Sequence, residues 1–263
     1  MRQHQQTSKP FFISLHHPFW WTVILGFWLF SCASQRPGHV APPESPATPS
    51  PPSPLLKSLP LHTEEFDYFL EVALGAEYGI SDLTVKKWNR DVYIQVLGHP
   101  TFGDWRTLYD VVEDLNQLIG NEIHLHLIEG KGNVTVYFVP HSEFYKYEPP
   151  GLVFYGGFFW NWWDGIGEIT KGRIVIASEG ISQHLRDHLI REELTQVLGL
   201  MNDSMKYKDS IFYQGYSETT EFSKLDRAII RLLYSPSIKT GMSYFQLRKL
   251  FSHVRPSSFF PYN

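Results

Sequence analysis

Between Ile181 and Leu200 the sequence calls for a helix that is apolar on two sides. On a helical wheel, Ile190, Leu194, Val197 and Leu198 form one broad apolar side. Leu185 and Leu189 lie roughly opposite, beside Glu192 and Gln196, with Glu193 at the edge. A surface helix carries a single apolar stripe, so a helix with two must be sandwiched between layers. That constraint sends Glu192, Glu193 and Gln196 toward a cleft or a second packing surface.

The rest of the chain supplies the layers. Apolar positions recur at helical spacing over Glu64–Tyr78, and Asp104–Ile119 carries a stripe of Trp105, Leu108, Val111, Val112, Leu115 and Leu118 that Gly120 stops. Val85–Leu97 reads as a strand, and Ile123–Ile128 and Val134–Val139 read as two strands of a hairpin joined by Gly-Lys-Gly. Arg173–Ala177 is a strand leading into the two-sided helix, and helices near Phe222–Tyr234 and Met242–Phe251 close the chain. The predicted fold class is α+β, one mixed sheet with helices packed on it.

Residues 1–61 are not part of that fold. Arg2 and Lys9 precede an apolar run of 13 residues, Pro18–Phe30, which is short for a bilayer span of roughly 17–25 residues and suits the core of an export signal. The only cysteine of the chain follows directly, in Leu29-Phe30-Ser31-Cys32-Ala33-Ser34. This resembles a bacterial lipobox, with Phe30 bulkier than is usual at its place. The resemblance implies that residues 1–31 are a signal peptide and that Cys32 receives a lipid. Ala33 and Ser34, in place of an aspartate, then imply an outer-membrane anchor facing the periplasm. Pro37–Pro60 holds nine prolines in 24 residues, too few apolar groups to fold, and reads as an extended tether, so residues 32–61 link the anchor to a domain at 62–263.

Composition narrows the function. With 43% hydrophobic residues in 263, the chain can bury a core without disulfides, and one cysteine rules out a cysteine-based zinc cage. A net charge of −4 without long runs of one sign gives no footprint for nucleic acid.

The segment Arg191-Glu192-Glu193-Leu194-Thr195-Gln196-Val197-Leu198-Gly199-Leu200-Met201-Asn202-Asp203 resembles the H-E-x-x-H-x-x-G-x-x-H motif of metzincin metalloproteases, matrixins in particular. In that motif two histidines one helical turn apart hold zinc, the glutamate activates water, and the glycine turns the chain toward a third histidine. Anchored on Gly199, the base position is kept as Glu193, and the three histidines are replaced by Glu192, Gln196 and Asn202. Downstream, Ser210-Ile211-Phe212-Tyr213 resembles the methionine turn with Phe212 at the methionine, and Phe222-Ser223-Lys224-Leu225-Asp226 resembles the start of the last helix. The same residues resemble more closely the bacterial proteins grouped as domain of unknown function 2927. That likeness implies an exported, zincin-like domain and carries no established activity.

The substitutions argue against zinc proteolysis, because amide oxygens are hard, weak donors better suited to calcium or magnesium. The expectation is a pseudoenzyme of metallopeptidase type, with Glu192, Gln196, Asn202 and Asp203 in a hydrogen-bonded network in place of a metal. No cofactor is expected; a divalent cation, if bound, belongs on those four oxygen-bearing side chains in preference to His184 and His188, whose spacing with Glu192 also suggests a zinc triad. The alternative is a hydrolase of peptide or glycan bonds using Glu193 as general acid or base.

The aromatic run Phe154–Trp163 would, as a loop, expose Phe159, Trp160, Trp162 and Trp163 to a sugar, peptide or protein; the competing reading is a lid folded over the core. Trp160, Trp162 and Trp163 join Glu192, Gln196, Asn202 and Asp203 as candidate binding residues. Together these readings predict an envelope lipoprotein, membrane-attached through Cys32, whose degenerate metzincin-like domain binds an envelope polymer or protein.

Overall fold

Runs of β-branched and aromatic residues form five strands: β1 (Val92–Gly98), β2 (Leu125–Ile128), β3 (Val134–Val139), β4 (Gly157–Trp163) and β5 (Ile169–Ala177). In the computed structural model, which describes residues 62–74, 83–147 and 156–254, they make one sheet in the order β2-β1-β3-β5-β4. The first four strands of that order run parallel, and β4 pairs antiparallel with β5 at the edge. The signal segment, Cys32, the proline-rich stretch, and Phe154 and Tyr155 lie outside the described residues. Among the described residues no helix is long and apolar enough to cross a membrane.

Val92, Ile94, Val134, Val136, Phe138, Ile174 and Ile176 are all buried on one face of the sheet. Helices α2 (Phe102–Ile119) and α3 (Gln183–Gln196) pack on that side, and α1 (Thr63–Leu74) packs against α4 (Lys224–Leu233) beyond them. A short helix α5 (Tyr244–Leu250) ends the described fold. The layout is the mixed α+β one predicted, with α3 packed on β4 and β5 and against α2.

The rotation of α3 is fixed at its start. Thr101 and Asp104 form a capping box on α2, and the same Asp104 carboxylate accepts from Arg186 Nε at 2.9 Å and Gln183 Nε2 at 2.8 Å on α3. Burial pushes the Asp104 carboxyl up, but these hydrogen bonds outweigh it and hold it below the usual carboxylate range. Further along, Arg191 Nη1 donates to Asp114 Oδ2 at 2.7 Å.

Two expectations are corrected. Ile123–Ile128 and Val134–Val139 are not a hairpin: β2 and β3 both run parallel to β1, on opposite sides of it. The Gly-Lys-Gly link carries the chain across β1, where a Cβ on Gly132 would stand 2.0 Å from the Tyr93 carbonyl oxygen. Asn133 completes the crossing by accepting from Tyr93 N and donating to the Asp91 carbonyl. The described part of the aromatic run is not a loop but the edge strand β4, with Phe158, Phe159 and Trp160 buried.

Element ends also shift. The first helix is described to Leu74, and the strand predicted from Val85 begins at Val92, with Thr84 and Lys87 in isolated bridges before it. The long helix stops at Gln196 and not at Leu200, because Leu198 N and Gly199 N already bond in turns to Thr195 and Gln196 carbonyls.

Candidate functional site

The polar run of α3 is inside the molecule. Glu192 is 1% exposed, and Glu193 and Gln196 are fully buried. What differs among them is the partner each one meets.

Glu192 Oε2 lies 3.4 Å from His188 Nε2, one helical turn back, and His188 Nδ1 donates to the Thr219 carbonyl at 2.7 Å. Burial opposes charge on His188, but the Glu192 carboxylate and the Thr219 carbonyl outweigh it and raise the imidazole above its ordinary pKa. The two are in buried contact and form an ion pair when the imidazole is protonated. His184 is exposed, so the predicted row of His184, His188 and Glu192 is not assembled, and among the described residues no group of three acidic, histidine or cysteine side chains is arranged to hold a metal.

Gln196 Nε2 donates to Asp203 Oδ1 at 2.7 Å, joining the helix end to the turn after Gly199. Asn202 faces another way: its Nδ2 donates to the Glu71 carbonyl and its backbone N to the Val72 carbonyl, both at 3.1 Å, docking the turn on α1. Of the three positions that replace histidines, each is directed to a different protein partner.

Glu193 alone has neither carboxyl oxygen hydrogen-bonded. It sits over the start of β4, where a Cβ on Gly157 would be 3.1 Å from its Oε1, with Leu189 beside it. Burial, then the charges of Glu192 and Asp203, hold its carboxyl well above the usual range. A protonated buried carboxyl is a proton donor in search of an acceptor.

The turn itself depends on Gly199, at φ +120°, where a Cβ would approach the Lys86 carbonyl oxygen to 2.1 Å. Beyond it, the two downstream motifs latch together. Ser210 Oγ donates to Asp226 Oδ1 at 2.6 Å, and Ile211 N and Ser223 N donate to Asp226 Oδ2. Tyr68 of α1 donates in turn to Ser210 Oγ at 2.7 Å, since the Ser210 proton is committed to Asp226. Phe212, where a methionine turn would carry methionine, is fully buried.

The aromatic candidates divide. Trp160 is buried in a cluster with Phe144, Phe158 and Val175. Trp162 and Trp163 are half-buried; Lys171 and Arg173 lie 5.0 and 5.2 Å from the Trp162 ring, and Lys86 lies 5.4 Å from that of Trp163. Sequence reasoning missed the pairing of His188 with Thr219, which no local pattern signals, and Asn161 on β4, whose Nδ2 reaches the Gln196 carbonyl at 3.4 Å.

The residues present do not fit the zinc that the metzincin motif, which the sequence resembles, would hold. One carboxylate and two amides replace three imidazoles, and those side chains are spent on His188, Asp203 and Glu71. No step through a metal is drawn from this site.

No curated protein matches the chain. Two solved structures of myroilysin bear a loose likeness to it, at TM-scores of 0.38 and 0.39 and identities of 12% and 10%. The first covers 57% of this chain and 83% of its own, the second 63% and 92%. The family model described as protein of unknown function (DUF2927) matches residues 63–253, from the start of α1 to beyond α5, and the chain belongs to that family.

Proposed function

We propose that this protein is a lipid-anchored component of the cell envelope whose domain captures an envelope polymer or protein and does not cleave peptide bonds with zinc. One observation carries the reading: the side chains at the three ligand positions are each committed to an internal partner, Glu192 to His188, Gln196 to Asp203 and Asn202 to α1. A domain built this way keeps the layered fold and gives up the metal. The anchor rests on Cys32 after the short apolar run, and the proline-rich tether would hold the domain away from the membrane surface, facing the periplasm from the outer membrane.

A second reading is favoured by Glu193, whose unbonded, raised carboxyl is what a general acid in peptide or glycan hydrolysis requires. Capture and turnover of envelope material by the purified chain and its Glu193→Gln variant separate the two. Capture that survives the substitution, with no hydrolysis by either protein, supports the binding module; hydrolysis lost with Glu193→Gln establishes the enzyme. Cys32→Ala releases the protein from membranes if the anchor is a lipid on that residue, and continued attachment contradicts it.

A further inference from the structure

On the side of the sheet turned away from α2 and α3, β5 carries two cations, Lys171 and Arg173, that form no ion pair among the described residues. Lys171 and Arg173 alternate on β5, so both point to this face, and Arg173 lies across from Thr135 on β3 and Trp160 on β4. Phe144 and its short 3-10 helix, His141–Lys146, join the cluster that buries one end of the face, over Val175, Phe158 and Trp160. Trp162 and Tyr137 pack against that cluster, the Tyr137 ring 4.6 Å from that of Tyr147, and Thr135 and Arg173 are half-buried beside them, with Lys171 exposed.

Arg173 stands out because its side chain is half-buried, its Nε has no hydrogen-bond partner, it forms no ion pair among the described residues, and its guanidinium lies 5.2 Å from the Trp162 ring. Burial lowers its pKa, against smaller opposing effects of Tyr137 and Tyr147. Lys171, 5.0 Å from the same ring, likewise has no carboxylate partner among the described residues. A guanidinium withdrawn from water without an anion is costly, and its planar fork matches a carboxylate.

We infer that this face, centred on Lys171, Arg173 and Trp162, binds a carboxylate-bearing polysaccharide. The inference rests on the binding-module reading and names its surface and its ligand class. Charge complementarity supplies the anion. The choice of a glycan over an acidic peptide follows from the sheet. β5, which carries both cations, is paired on both sides by β3 and β4, so a peptide lying over Lys171 and Arg173 finds no backbone groups to join there; the open ladder edge is on the far side of β4. What the face offers over β5 is two cationic heads, the half-buried ring of Trp162 for the apolar face of a sugar, and the Thr135 hydroxyl for its oxygens.

The test is co-sedimentation or titration of the full chain with polygalacturonate, with dextran as neutral glycan and polyglutamate as acidic polypeptide. Purified envelope polymer is assayed in parallel. Salt-sensitive binding to polygalacturonate in preference to both controls, weakened about tenfold by Lys171→Gln/Arg173→Gln and also by Trp162→Ala in proteins with unchanged circular dichroism, is the expected result. Undiminished binding by the double variant, or equal binding of polyglutamate, overturns the inference. If polygalacturonate is not bound while envelope polymer is, the ligand assignment fails and the binding module stands. If neither is bound, the inference fails together with the polymer part of the reading beneath it.

Discussion

Gln196 Nε2 donates to Asp203 Oδ1 across 2.7 Å, fastening the last residue of α3 to the turn that follows it. In the metzincin pattern the first of these positions would hold metal; here it holds the chain. Asp203→Ala removes an acceptor from a fully buried amide and should cost about 1–3 kcal/mol in denaturant unfolding. Asp203→Asn, which keeps an acceptor oxygen, should cost less. Equal stabilities for all three proteins would show that the bond is incidental.

The pair of His188 and Glu192 should make stability fall as pH rises. The folded imidazole is raised above its unfolded value, so its contribution is complete below about pH 6.5 and is lost as pH climbs through the higher native pKa. His188→Gln should remove that component from a plot of unfolding free energy against pH. An unchanged plot would contradict the ion pair.

Glu193 should act in the same direction but from a lower pH. Its native carboxyl is also raised, so the folded state holds a proton that the unfolded chain releases above about pH 4.3. Stability should then decline by up to ~1.4 kcal/mol per pH unit until the native carboxyl ionises. Glu193→Gln, which cannot ionise, should flatten this part of the curve, and a slope that persists in the variant would place the titration elsewhere.

Gly199→Ala should be among the most damaging single changes in the domain. The new Cβ meets a backbone oxygen at 2.1 Å, at a φ of +120° that other residues rarely adopt. A loss of about 3–5 kcal/mol, seen as a lowered melting temperature or failure to accumulate folded protein, is expected. A fully stable variant would mean that the turn can be rebuilt without glycine.

Much of this architecture is legible in the sequence, and what is not has identifiable causes. The two apolar sides of Ile181–Leu200 announce a helix between layers, and the Ser-Ile and Phe-Ser-x-x-Asp segments mark Ser210, Ser223 and Asp226, which meet in one network. The hairpin reading failed because a Gly-rich link of the right length turns a chain back in some folds and carries it across a strand in others; the clash that decides it, Gly132 against the Tyr93 carbonyl, is a tertiary one. The partners of Glu192, Gln196 and Asn202 were illegible for a related reason. An amide that could face a metal can equally bond a carbonyl 131 residues away, as Asn202 does with Glu71.

That Glu192, Gln196 and Asn202 are bound to protein and not to metal is tested most directly by elemental analysis of the purified full chain, after equilibration with zinc and removal of excess. Substoichiometric zinc, with a melting temperature unmoved by chelator, is the predicted result. One tightly held zinc per chain that is lost on Gln196→Ala or Glu192→Ala would contradict it.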